Sequence, residues 1–178
     1  MQNYLVVSAL GADKPGIANA LTTIASEQNC NVVDSRMAVL GGEFAVIMML
    51  SGSWSSIAKF ENALKALEQN LELITMVKRT ELPLNKSNLM PYGIQVVALD
   101  TPGIIKEISN FFSHQDINIE NLQTDAYRAP HTGAPMLVVN MTVNIPINMH
   151  IADMRERFTL FCDDLNLDAS MEPMKGLL

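Results

Sequence analysis

A chain of 178 residues, 48% hydrophobic and 17% charged, carries enough apolar material for one or two cores that need neither a metal nor a disulfide. Twelve Lys and Arg against 19 Asp and Glu leave a net charge of −7, which argues against direct nucleic-acid binding, since such affinity comes from cations neutralising phosphates. The longest apolar run, FAVIMML, falls far short of a bilayer span, and the start MQNYLVVSALGAD lacks a signal peptide's basic and apolar regions, so a cytoplasmic protein away from membranes is expected.

In chain order, YLVVSAL (Tyr4–Leu10) is a short run rich in β-formers and reads as a buried strand. From Pro15 the apolar positions Ile17, Ala20, Leu21, Ile24 and Ala25 form one helical stripe. NVVDSRMAVL and EFAVIMML, joined through Gly41 and Gly42, predict a two-strand hairpin. A second stripe, Ile57, Phe60, Leu64 and Leu67, follows SGSWSS, and LELITMVKRTEL closes the unit as a strand. That order is β-α-β-β-α-β, the ferredoxin-like arrangement of one antiparallel sheet with both helices on one face.

The chain then repeats itself. Shifted by 87 residues, Asp13–Asp34 aligns without a gap on Asp100–Asn121, and seven of the 22 positions are identical, among them Asp13/Asp100, Pro15/Pro102, Gly16/Gly103 and Asn31/Asn118. GIQVVAL, a helix from Pro102 to about Gln115, NIENLQTDAY and PMLVVNMTV continue the second unit. A helix near Ile151–Cys162, with Met154, Phe158 and Phe161 on its apolar side, and the strand LNLDASMEPM complete it. The fold class is α+β: two tandem ferredoxin-like βαββαβ domains over residues 1–82 and 92–178, with the proline-bounded PLNKSNLMP, residues 83–91, as linker. The second hairpin differs in carrying RAPHTGAP (Arg128–Pro135), a longer surface loop that is either a neutral insertion or a contact surface.

The repeated Asp-x-Pro-Gly-Ile opens the first helix of each unit. One reading is structural: proline sits in the first helical turn without loss, glycine permits close approach, and Asp13 and Asp100 cap the helix N-terminus. The other is a site. Asn31 and Asn118 recur just after that helix, and a carboxylate, helix N–H groups and an amide converging on one cavity would match the carboxylate and ammonium of an amino acid. A phosphate cradle fits less well, for neither Gly-x-Gly-x-x-Gly nor Gly-Lys-[Ser/Thr] is present.

Asp-x-Pro-Gly-Ile opening a helix, followed by Asn-[Val/Ile] at the next strand inside βαββαβ, resembles the ACT domain family in both halves of the chain. The resemblance implies small-ligand binding, most often of amino acids, at interfaces between domains, with Asp13, Gly16, Asn31, Asp100, Gly103 and Asn118 lining the sites. A stand-alone tandem pair of this length is similar to the family of glycine cleavage system transcriptional repressors. That similarity implies a regulator sensing glycine or another small amino acid and acting on a DNA-binding activator protein. The alternative is an amino-acid-binding regulatory subunit of a metabolic enzyme. Exposed sheet edges suggest a homodimer.

An enzyme is not expected, nor a cofactor or metal. His114, His131 and His150 are scattered without metal-ligand spacing, and Cys30, which aligns with Ile117, and Cys162 read as buried thiols. Most of the 12 methionines read as core filler, and Trp54 as a partly exposed anchor or staple.

Overall fold

The computed structural model describes residues 2–82 and 88–174. The chain divides into two compact units, Met1–Leu84 and Asn85–Leu178. The first is built from β1 (Asn3–Ala12), α1 (Ile17–Glu27), β2 (Asn31–Leu40), β3 (Glu43–Gly52), α2 (Trp54–Leu71) and β4 (Ile74–Thr80). The second repeats the order with β5 (Leu89–Leu99), α3 (Ile104–Ser113), β6 (Asn118–Arg128), β7 (Pro135–Pro146), α4 (Ile151–Asp164) and β8 (Asp168–Pro173). Of the linker expected over 83–91, residues 83–87 lie outside the described residues, and Leu89, Met90 and Pro91 belong to β5.

Each unit holds one four-stranded antiparallel sheet, in the order β2-β3-β1-β4 and β6-β7-β5-β8. Alternation decides which face is buried. Leu5, Val7 and Ala9 of β1, with Val46, Met48 and Leu50 of β3, point to the helices and pack with Ile17, Leu21, Ile57, Phe60 and Leu64. In the second unit Ile94, Val96 and Ala98 meet Ile108, Phe112, Met154 and Phe158 in the same way. Phe60 and Phe112 are wholly buried, and a side chain of that size contributes about 1.5–3 kcal/mol by leaving water. Around Phe112 the rings of Phe111, Phe158 and Phe161 pack edge-on, tilted and stacked at centroid separations of 4.7 to 6.3 Å.

The helix ends repeat a device that composition did not announce. Asn29, Glu72, Asp116 and Asn166 take left-handed φ angles of 53° to 55° without being glycine. Each is followed by a buried apolar residue, Cys30, Leu73, Ile117 or Leu167, whose N–H bonds to the carbonyl five residues back. That is the Schellman closure, which satisfies orphan carbonyls and pins the chain to the core at the same step. It also explains why Cys30 aligns with Ile117: both are the hydrophobic stop of such an end.

The hairpins agree as well. Both carry a β-bulge at the corresponding place, between Val32 and Asp34 and between Ile119 and Asn121. They differ at the tip, where Gly41 and Gly42 alone join β2 to β3 but residues 129–134 join β6 to β7. Three bonds fold the larger tip back on itself: Ala129 N–H to Ala134 O, Gly133 N–H to Ala129 O, and Arg128 Nη1 to Gly133 O at 3.1 Å.

Candidate functional site: two corners and two asparagine ends

Helices α1 and α3 begin at Ile17 and Ile104, two residues later than the prolines suggest. The capping positions are the glycines, at φ 100° for Gly16 and 99° for Gly103, and neither helix receives a side-chain cap bond. Pro15 and Pro102 therefore lie in the turn before the helix, not in its first turn, and the carboxylates of Asp13 and Asp100 do not cap. A Cβ built at Gly16 or Gly103 meets nothing within 4 Å, so these glycines answer to backbone conformation and not to crowding.

What Asp13 and Asp100 do with their backbones is the same in both units. Asp13 N–H donates to Gly42 O at 2.9 Å, and Asp100 N–H donates to Pro135 O at 2.9 Å. Each corner is thereby tied to the tip of the following hairpin, with the Asp and Gly residues exposed. Beside the first corner, Lys14 reaches Glu72 at 3.2 Å, while the second has Thr101 at that position and the 129–134 tip as its neighbour.

The asparagines stand elsewhere. Asn31 is level with Ser51 of β3, and Ser51 with Tyr4 at the start of β1, whereas Asp13 follows the end of that strand. From Tyr4 to Asp13 the chain rises about 30 Å at strand spacing. Asn118 is level with Asn144 and Pro91, and Asp100 lies just past the far end of β5. Within one unit the corner and the asparagine occupy opposite ends of the sheet. The expectation that they converge on one cavity is corrected by topology: β1 and β2 both run antiparallel to β3, so the exit of one and the entry of the other cannot share an end.

At the asparagine ends the structure adds residues that the motif did not include. Among the described residues the buried polar side chains are Ser51 and Asn144, and each is the cross-strand partner of Asn31 or Asn118. The signal was a polar residue near the end of an apolar strand, in IMMLS and MTVN.

The thiols of Cys30 and Cys162 are free and buried. Burial raises the Cys30 pKa; burial, with Asp163 nearby, pushes Cys162 up to about 11, the reverse of what a nucleophile needs. His114, His131 and His150 are exposed, and His150 Nδ1 lies 3.0 Å from Asp153 Oδ1 at the start of α4. Among the described residues no three His, Cys, Asp or Glu side chains gather as a metal site, and no helix is long and apolar enough to cross a membrane. Trp54 is exposed at the start of α2, with the Arg79 guanidinium 5.5 Å from its ring centroid and held by Glu61 at 3.0 Å.

The ACT domain family matches residues 3–78. Over 170 residues, 96% of this chain and 90% of the relative, the sequence is 35% identical to the glycine cleavage system transcriptional repressor of Escherichia coli (strain K12). A solved structure provisionally assigned to the same repressors superposes with a TM-score of 0.76 at 27% identity, covering 99% of both chains. An uncharacterised protein from Galdieria sulphuraria shares the fold at a TM-score of 0.79 and 22% identity, covering 98% of this chain and 99% of its own.

Proposed function

Because the chain belongs to the family of glycine cleavage system transcriptional repressors, a family of regulatory proteins built on tandem ACT domains, we propose that it is a non-enzymatic sensor of glycine or another small amino acid that represses through a DNA-binding activator protein. The observation that carries this reading is the duplicated corner. Asp13–Gly16 and Asp100–Gly103 adopt one backbone twice, leave their carboxylates free of capping duty, and open onto space at both glycines. A small zwitterion suits such a place: its carboxylate can take helix N–H groups and its ammonium an Asp or Asn oxygen.

The sheet register adds a condition. A ligand only a few ångströms across cannot touch Asp13 and Asn31 of one unit when about 30 Å of strand separates their levels. Within one unit such a ligand therefore contacts the corner or the asparagine, not both. Ligand binding would change the affinity for the partner protein, and by linkage the partner would alter ligand affinity by the same factor.

Calorimetric titration with glycine, then with the other amino acids, tests the reading. A saturable, selective heat that falls in Asp13→Ala and in Asp100→Ala and disappears when both are changed, together with glycine-dependent retention of a helix-turn-helix activator, is the expected result. No heat with any amino acid, or a biosynthetic enzyme as the dominant retained partner, overturns it.

A further inference from the structure

On the face turned away from their helices the two sheets differ in chemistry at three corresponding places. In the first unit, Ile74, Met76, Ile47 and Leu10 lie on that face and are 73%, 70%, 50% and 42% exposed. Register identifies their counterparts in the second unit. Ser8 pairs with Ile47 and Met76, as Gln95 pairs with Asn140 and Ser170. Leu10 pairs with Ala45 and Ile74, as Val97 pairs with Val138 and Asp168. Where the first unit has Ile47, Met76 and Ile74, the second thus has Asn140, Ser170 and Asp168, and Gln95 Nε2 bonds Asn140 Oδ1 across the strands at 3.0 Å. The same fold closes with polar residues at those three places, so apolar ones there are not a demand of folding.

We infer that the open face of the β2-β3-β1-β4 sheet is the contact between two copies of this chain, packed sheet on sheet about a two-fold axis running along the strands. The face is self-complementary about that axis, which lays β4 over the partner's β2 and β1 over the partner's β3. Large residues then fall on small ones, Ile74 over Ala38, Leu10 over Ala45 and Ile47 over Ser8 of the facing copy, while Met76 meets Arg36, whose aliphatic stem can cover an apolar neighbour as its charged end stays in water. Charge agrees. Lys78, Val6, Met49 and Asp34 form one row across the sheet, so Lys78 at one edge meets Asp34 at the other. Asp34 is already held by Arg36 of its own strand, and a carboxylate has oxygen sites for a second cation. Four strands by three rows span about 20 Å each way, and apolar patches of a few hundred Å² are the size that marks interaction surfaces. The inference does not depend on the ligand.

The full chain is examined by light scattering and sedimentation across a concentration series. Ile74→Asp and Met76→Ser install what the second unit carries at those places, so each is compatible with the fold, and unchanged melting of each variant confirms it. The expected result is a dimer whose dissociation constant rises about tenfold or more in either variant. Lys78→Glu should weaken it too, and Lys78→Glu with Asp34→Lys should restore it. A wild-type chain that stays monomeric, or a dimer indifferent to Ile74→Asp and Met76→Ser, overturns the inference and leaves the face to a different protein or the dimer to another surface.

Discussion

Gly16 and Gly103 adopt one left-handed backbone 87 positions apart, φ 100° and ψ −10° in the first, φ 99° and ψ −13° in the second. Open space surrounds both, so a methyl group would fit and only its conformation would object. Gly16→Ala and Gly103→Ala should each cost about 1–2 kcal/mol in urea unfolding. Asn, which tolerates positive φ better, should cost less than Ala, and Val more. Equal losses for Ala, Asn and Val would mean that space, not φ, is the constraint.

Asp13 and Asp100 make the opposite prediction. Their carboxylates cap nothing, so Asp13→Ala and Asp100→Ala should change stability by no more than about 0.5 kcal/mol. Ser53 is the internal control, since its Oγ accepts from Ser56 N–H at 3.1 Å and Ser53→Ala should cost about 1 kcal/mol. Denaturant curves for the three variants compare a carboxylate that looks like a cap in sequence with a hydroxyl that is one.

That contrast marks how far the sequence could be read. Elements and their order were legible because two cues coincide, hydrophobic period and the 87-residue repeat; the stripe Ile57, Phe60, Leu64 lies in the core as written. The start of α1 was not, because a proline before a helix and one inside its first turn leave similar traces, and only φ at Gly16 separates them. Nor was the distance from Asp13 to Asn31, which depends on strand pairing between residues far apart in the chain. The left-handed helix ends at Asn29, Glu72, Asp116 and Asn166 lack the glycine that normally advertises them.

Cys162 offers a pH test. Burial, with Asp163 nearby, pushes its thiol up to about 11 from the ordinary value of 9.0, so the folded state holds the proton longer than the unfolded one. Stability from this group is complete below about pH 9 and is lost as pH rises towards 11. At pH 8 alkylation of Cys162 should be slow and track global unfolding, and fast labelling of native protein would refute the burial.

The hairpin tips separate the two corners. Replacing residues 129–134 by Gly-Gly should shift stability by only about 1 kcal/mol, since closure entropy varies slowly with loop length. The bond from Asp100 N–H to Pro135 O anchors the corner below that tip. If the corners bind ligand as proposed, affinity at the second should change while that at the first does not, which titration of Asp13→Ala and Asp100→Ala backgrounds resolves.

Duplication within one chain has a genetic consequence. In an assembly of identical single-domain chains, every substitution is made in all copies at once, and no site can change without its twin. Here Asp13 and Asp100 are separate codons in a fixed one-to-one ratio, so a substitution at one corner leaves the other unchanged. The two units already differ in this way, with Asn140, Ser170 and Asp168 where the first sheet has Ile47, Met76 and Ile74, a longer 129–134 tip, and Thr101 in place of Lys14.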